Sequence, residues 1–188
     1  MGMLDVGSVF LDGRRGFMAH DLDISDNQGN RLGTIRADGA AAARMVRGTR
    51  RFTVVDQRDA VLLRIRDRRS VGRDTFRLSD SQGQAIAKVV KHAVSPRRRM
   101  SIIFADDTHW EVLGTVADAV LSVVDAHEVQ VATIGRERVL GVGSGSPPRF
   151  LLTFTSSLSA EQRLAVLGAA VASKRFREKD AARADSYG

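Results

Sequence analysis

Three clusters of arginine are the residues of this chain best suited to do chemistry. An arginine guanidinium keeps its positive charge and presents a planar fork of N–H donors, which binds the oxygens of phosphate or carboxylate in pairs. Each cluster lies where a predicted loop meets a predicted β-strand. If these loops meet at one rim of the fold, they form an anion-binding site with the members Arg97, Arg98, Arg99, Arg50, Arg51, Arg68 and Arg69. The alternative is that the arginines flank strands only to keep their edges soluble.

The net charge of the chain favours the same class of ligand. A charge of +7 and a pI of about 10.8 favour nucleic acid, anionic lipid or acidic protein as partners. Aromatic residues make up only 5% of the chain and do not interleave with the basic ones, which argues against nucleic acid. We therefore expect an anionic membrane lipid or an acidic protein. Because 25 of the 29 basic residues are arginine, the composition of a GC-rich genome is an equal explanation of the charge.

Residues of the kind that enzymes use form one loose group, His109 with Asp106 and Asp107. A polar turn explains these three residues better than a catalytic site does. The four histidines have no metal-ligand spacing and the chain has no cysteine, so we expect no catalytic residues, no metal site and no cofactor. The sequence therefore predicts a protein that is not an enzyme, with a site at His109 as the alternative.

Four internal repeats predict β-hairpins, and the arginine clusters lie in the chain between these repeats. In each repeat, two apolar residues at alternate positions precede an aspartate, turn-forming residues follow it, and a second strand ends nine residues after it. One role explains an aspartate at the same position in all four repeats, so we interpret the aspartates as turn-formers rather than catalysts. They are Asp26, Asp56, Asp80 and Asp125, in the repeats Leu22–Ile35, Phe52–Ile65, Phe76–Val89 and Leu121–Ile134.

Further strands extend this pattern along the chain. Residues Arg99–Val116 predict a fifth hairpin with an irregular turn, and Arg149–Ser156 predict one more strand. We divide the chain into an N-terminal segment, residues 1–16, with an edge strand and a turn at Asp12–Gly13, and a barrel domain, residues 17–177. Residues 178–188 are expected to form a disordered polar tail.

The apolar run from Leu164 to Ala172 predicts a helix that the protein encloses on all sides. Ser159 and Gln162 form a capping box, so we expect this helix over residues 159–176. The run is too short for a membrane anchor, which needs about 18 apolar residues. It fills a closed sheet that is too wide for its own side chains. The sequence therefore predicts a mainly β (α+β) fold: a closed barrel of about twelve antiparallel strands in sequential hairpins around a central hydrophobic C-terminal helix.

Hairpins of the form "FRLSDSQGQAIAKVV", followed by the helix "LSAEQRLAVLGAAVASKRF", resemble the Tubby C-terminal-like superfamily over about residues 17–176. This superfamily includes Tubby-like proteins, LURP-one-related proteins and phospholipid scramblases. The resemblance implies a twelve-stranded barrel that binds anionic phospholipid headgroups. The calcium-binding segment of scramblases has no counterpart here, because residues 153–162 contain one carboxylate, Glu161. The alternative is a structural or protein–protein interaction barrel with no small ligand.

The first residues of the chain indicate where the protein is located. They lack a positively charged start, and Asp5 and Asp12 interrupt their apolar residues, so they do not resemble a secretory signal. We therefore expect a cytoplasmic protein, with peripheral attachment to the inner face of the membrane if lipid is the ligand.

Overall fold

The computed structural model describes residues 2–13, 21–38, 50–70, 73–92, 100–114, 119–137 and 149–184, with the backbone alone for residues 38, 50, 68–70, 73, 137 and 177–184. These residues form twelve β-strands and one α-helix, α1, Ala160–Ala184. The strands are β1 Ser8–Gly13, β2 Leu22–Ser25, β3 Arg31–Asp38, β4 Arg50–Asp56, β5 Val61–Ser70, β6 Arg73–Ser79, β7 Ala85–Lys91, β8 Met100–Phe104, β9 His109–Leu113, β10 Val120–Val124, β11 Gln130–Glu137 and β12 Arg149–Phe154.

The twelve strands form one closed antiparallel barrel, in which each strand pairs with its neighbours in chain order and β12 pairs with β1. The predicted fold class is therefore confirmed. The N-terminal segment differs from the expected edge strand, because β1 has partners on both sides. Leu11 of β1 lies opposite Ile24 of β2 and opposite Phe150 of β12, so this segment closes the barrel.

The turn expected at Asp12–Gly13 is wrong, since both residues belong to β1 and pair with β2. Asp12 instead accepts two hydrogen bonds from the guanidinium of Arg149 at the start of β12, from Nε at 2.5 Å and from Nη2 at 2.9 Å. The guanidinium also lies over the ring of Phe10, 4.4 Å from its centroid. This ion pair joins the first strand of the barrel to the last.

Five hairpin turns share one backbone geometry. The N–H of the first residue binds the carbonyl of the fifth, and the N–H of the fourth binds the carbonyl of the first. The fourth residue has a φ between 62° and 89°, in the left-handed region. In four turns the first residue is an aspartate whose Oδ1 accepts the N–H groups of the third and fifth residues. The interpretation of the repeated aspartates as turn-formers is therefore confirmed.

The fifth turn, residues 104–108, was expected to be irregular, and this expectation is wrong. It has the backbone bonds of the other four turns, with Asp107 at a φ of 63°. Phe104 occupies the aspartate position, and its ring packs edge-on against Trp110 with the centroids 4.8 Å apart. This turn therefore forms without an aspartate at its first position, and the Asp106 carboxylate accepts the N–H of the fifth residue, Thr108, instead.

We expect the Asp80→Ala variant to lose about 1 kcal/mol of unfolding free energy, because the N–H groups of Gln82 and Gln84 both lose their acceptor. The Asp80→Asn variant keeps an acceptor oxygen, so we expect a clearly smaller loss. Urea unfolding followed by circular dichroism measures both. Equal losses in the two variants would contradict the role assigned to the acceptor oxygen.

Side chains alternate between the interior of the barrel and its outer wall along each strand. Inward-facing residues such as Leu63 and Val89 are completely buried. Helix α1 fills the remaining interior, and every residue from Arg163 to Ser173 is buried. The prediction of an enclosed helix is therefore confirmed. The helix continues to Ala184, beyond the predicted end at residue 176.

Helix α1 begins with the predicted capping box. The Ser159 hydroxyl accepts the Gln162 N–H at 3.2 Å, and the Gln162 side-chain oxygen accepts the Ser159 N–H at 2.9 Å. One turn further on, the buried guanidinium of Arg163 donates to the carbonyls of Val6, Leu158 and Thr155. The start of the helix is thereby bonded to the chain that leads into β1 and to the chain that leaves β12.

The barrel has two unlike ends. The turn end contains the five hairpin turns and the start of α1. The loop end contains the strand ends that precede and follow residues 14–20, 39–49, 71–72, 93–99, 115–118 and 138–148. Helix α1 runs from the turn end toward the loop end, where Phe176 packs edge-on against Phe76 with the ring centroids 5.3 Å apart.

Candidate functional site

Two of the three predicted arginine clusters belong to neighbouring strand ends at the loop end. Arg50 and Arg51 begin β4, and Arg68 and Arg69 lie near the end of β5, which pairs with β4. The side chain of Arg51 is exposed. The side chains of Arg50, Arg68 and Arg69 lie outside the described residues.

The third predicted cluster, Arg97, Arg98 and Arg99, lies outside the described residues. The segment that contains it joins the end of β7 to the start of β8, and both of these strand ends belong to the loop end. The described strand ends next to all three clusters therefore lie at the same end of the barrel.

The outer wall carries a second group of cations, which continues from Arg51 across four strands. Arg51 on β4 lies opposite Arg66 on β5, and Arg66 lies opposite Arg77 on β6. Arg77 lies opposite Lys88 on β7. All four side chains are exposed. We call these four residues the wall row; three strand spacings make it about 14 Å long.

The wall row is costly for the folded barrel. Like charges directly opposite each other on paired strands repel, at a cost of a few tenths of a kcal/mol to about 1 kcal/mol for each pair. None of the four side chains has an ion pair or hydrogen bond in the part of the chain that the structure describes. On β3 the residue opposite Arg51 is Asp38, whose side chain is outside the described residues. Across the three strand pairs within the row, each cation faces another cation and not a carboxylate.

Further cations lie inside the loop end, around the second half of α1. The guanidinium of Arg175 is buried over the ring of Phe52, 5.0 Å from its centroid. The ammonium of Lys91 lies over the ring of Phe176, 5.2 Å from its centroid. Both contacts are cation–π interactions, which place positive charge against the aromatic lining of the barrel mouth.

The alternative catalytic site consists of His109, Asp106 and Asp107. The two aspartates lie in the turn between β8 and β9, and His109 is the first residue of β9. The Asp106 carboxylate accepts the N–H of Thr108 at 2.9 Å. This hydrogen bond from Thr108 lowers the pKa of Asp106 below its usual value. A general acid or base working near neutral pH needs a raised carboxylate pKa instead. The turn therefore accounts for the positions of both aspartates.

A hydrogen-bonded chain that the sequence analysis missed joins three strands on the outer wall. The ring of His92 lies 2.6 Å from the buried hydroxyl of Ser101, which donates to Glu111 at 2.9 Å. Because the serine proton points to the carboxylate, the His92 nitrogen is the donor to this hydroxyl. A nucleophilic serine requires the opposite arrangement and access to substrate. The chain therefore ties β7, β8 and β9 together, and the sequence spacing of its members contains no signal for it.

The described residues contain neither a group of metal ligands nor a membrane-spanning helix. In these ranges, no three histidine, aspartate or glutamate side chains group closely enough to hold a metal ion. Within the same ranges, no helix has both the length and the apolar character to cross a membrane.

Three members of the wall row, Arg66, Arg77 and Lys88, were absent from the predicted site. The hairpin turns at Asp56 and Asp80 indicate that the row residues share hairpins, but a one-residue register shift beside each turn decides which residues face each other. Comparison of the chain with models of known protein families and with curated protein sequences found no match.

Proposed function

We propose that this chain is a non-enzymatic barrel, similar to the LURP-one-related and scramblase-like members of the Tubby-like superfamily, that binds anionic phospholipid through its loop-end arginines. The observation that carries the proposal is that the described strand ends next to all three arginine clusters lie at the same end of the barrel. Arginines gathered at one end act together on a single anionic surface, whereas arginines spread around the fold do not.

The charge around the mouth of the barrel supports this orientation. Arg175 and Lys91 lie inside the loop end, where Asp67 is also buried, and the turn end carries the aspartates of the hairpin turns. An anionic membrane attracts the loop end and repels the turn end. The protein is then cytoplasmic and attaches to the inner face of the membrane with its loop end toward the headgroups.

We expect the chain to co-sediment with vesicles that contain phosphatidylserine and to stay in solution with vesicles of phosphatidylcholine alone. Because the attraction is electrostatic and close to the surface, about 0.5 M salt should release most of the bound protein. The Arg97→Glu/Arg98→Glu/Arg99→Glu variant should lose most of its binding, since each basic residue near an anionic surface contributes about 1 kcal/mol.

A matched pair of single variants controls for net charge. Arg98→Glu changes a loop-end residue, and Arg58→Glu makes the same charge change at an exposed position of the turn between β4 and β5. We expect Arg98→Glu alone to weaken vesicle binding. Equal binding to neutral and anionic vesicles, or equal effects of the two variants, would contradict the proposal.

A further inference from the structure

We infer that the wall row, Arg51, Arg66, Arg77 and Lys88, is a binding site for a linear chain of phosphate groups. This inference goes beyond the proposed function, because it concerns the outer wall of β4–β7 and a soluble ligand. It remains valid if the loop end does not bind vesicles. Arg51 is the one residue that the two sites share.

The side chains of the wall row have no partner among the described side chains. All four are exposed and make no ion pair or hydrogen bond there. Of the other exposed arginines on the same wall, Arg36 and Arg31 have an acidic partner, whereas Arg64 has none among the described residues. The wall row differs from all of these because its cations lie directly opposite one another, and an anionic ligand would neutralise their repulsion.

The shape of the wall row favours a linear ligand. Three hydrogen-bonded strand pairs set the four residues side by side, so the cations form a single line rather than a cluster around a cavity. This line crosses three of the twelve strand intervals of a closed barrel, and it therefore curves around the convex wall. A flat membrane reaches only part of such a line at once. A flexible, linear anion follows all of it.

The density of charge favours a phosphate chain over an acidic peptide. The cations recur at each strand spacing, about every 4.8 Å. Carboxylates on one side of an extended acidic peptide recur only at every second residue, about 6.6 Å, so they leave some cations of the row without a facing charge. A phosphate chain carries a negative charge on every unit, and its charges are spaced more closely than the cations. Every cation of the row can therefore face a negative charge.

The side chains of the wall row and those beside it favour phosphate groups over nucleic-acid bases. Three of the four cations are arginines, whose planar forks bind phosphate oxygens in pairs. The described outward-facing residues beside the row on the same strands are not aromatic: Thr53, Arg64, Thr75, Ser79 and Val90. A single-stranded nucleic acid also presents phosphates in a line, but its bases would find no described aromatic surface to stack on. The site recognises phosphates and not bases.

The test uses the full chain and titrates it with inorganic polyphosphate, tripolyphosphate and orthophosphate in separate calorimetric experiments. The row variant is Arg66→Gln/Arg77→Gln, which leaves Arg51 and the loop-end clusters intact. The control variant is Arg58→Gln/Arg136→Gln, which removes the same charge from exposed positions off the row. Poly-glutamate and phosphatidylserine vesicles are titrated in parallel.

We expect polyphosphate to bind more tightly than tripolyphosphate, and orthophosphate to bind weakest. The row variant should bind polyphosphate at least about tenfold more weakly than the wild type, because it loses two charged contacts. The control variant should change the affinity by less than about threefold. The slope of log affinity against log salt should fall by about one for each arginine removed. Binding of the row variant to vesicles should remain close to that of the wild type.

Three results would overturn the inference. They are equal losses in the row and control variants, an affinity that does not rise with phosphate chain length, and poly-glutamate binding as tight as that of polyphosphate. If the row variant loses vesicle binding but keeps polyphosphate binding, the row contacts lipid and the inference is also wrong. Absence of vesicle binding by the wild type, with polyphosphate binding intact, contradicts the proposed function alone.

Thermal unfolding distinguishes a binding role from a structural one. Because like charges repel across the row, we expect the free row variant to melt at the same temperature as the wild type or slightly above it. Polyphosphate should raise the melting temperature of the wild type and of the control variant, and at the same concentration it should raise that of the row variant clearly less. A row variant that melts well below the wild type would assign the two arginines a structural role and contradict the inference.

Discussion

The Gly168→Leu variant is expected to lose about 1–3 kcal/mol of unfolding free energy. A Cβ atom at position 168 would lie 2.6 Å from both Cδ atoms of Leu78 on the facing strand. Leu78 is 1% exposed, so its side chain has no solvent to move into. Leucine adds three more carbon atoms in the same direction, and either the helix or the wall of the barrel must shift. Urea unfolding monitored by the fluorescence of the buried Trp110 measures the loss.

A double-mutant cycle shows whether this loss comes from the contact with Leu78. The Gly168→Ala substitution crowds Leu78, whereas Leu78→Ala alone leaves a cavity and should cost about 2–5 kcal/mol. In the Gly168→Ala/Leu78→Ala variant the added methyl group occupies part of that cavity. We therefore expect the double variant to lose less stability than the two single variants together. Additive losses, or an unchanged stability of Gly168→Leu, would contradict the packing of α1 against β6.

The second large effect is expected for Arg163→Met, at about 2–5 kcal/mol of unfolding free energy. The guanidinium donates to the carbonyls of Val6, Leu158 and Thr155 at the turn end, and it lies 5.3 Å from the ring centroid of Phe154. Methionine fills a similar volume but donates no hydrogen bond. The Thr155 carbonyl keeps the N–H of Leu158 as a donor, but the carbonyls of the buried residues Val6 and Leu158 lose the guanidinium. Each buried carbonyl left without a donor costs about 1–3 kcal/mol, which sets the size of the effect.

Two further variants serve as comparisons for the stability of Arg163→Met. Arg163→Lys keeps the charge, but one ammonium lacks the planar fork that reaches three carbonyls, so we expect an intermediate loss. Arg58→Met removes an exposed arginine from a turn and should change stability by less than about 0.5 kcal/mol. Urea unfolding compares the three variants. If Arg163→Met and Arg58→Met unfold at the same urea concentration, the carbonyl contacts do not stabilise the start of α1.

Much of the fold could be predicted from the sequence because its signals are local. An aspartate, a turn and two alternating strands lie within fourteen residues in each repeat, and Asp80 with Gly83 shows how the signal works. The capping box of Ser159 and Gln162 is equally local. The turn at Phe104 was harder to predict, because its backbone bonds form without the side chain that marks the other turns.

Closure of the barrel was predicted only in part, since the position of β1 depends on residues far along the chain. Asp12 and Arg149 are 137 residues apart, and no local pattern connects them. The hydrogen bonds that join His92, Ser101 and Glu111 also have no local sequence signal, because each of these residues lies on or beside a different strand. Such contacts form only when the strands are already adjacent.

The wall row was also predictable from the sequence only in part. The sequence by itself determined that Arg51 and Arg66 lie on the two strands of one hairpin, and Arg77 and Lys88 on the two strands of the next, because the turns at Asp56 and Asp80 are local. The turn bonds alone would set Arg51 opposite Ile65 and Arg77 opposite Ala87. A one-residue register shift beside each turn sets them opposite Arg66 and Lys88 instead. Only the tertiary structure decided that Arg66 faces Arg77. The register between hairpins follows from the packing of inward side chains around α1 and from closure of the barrel, and neither leaves a local trace. Two separate pairs of cations thereby became one row.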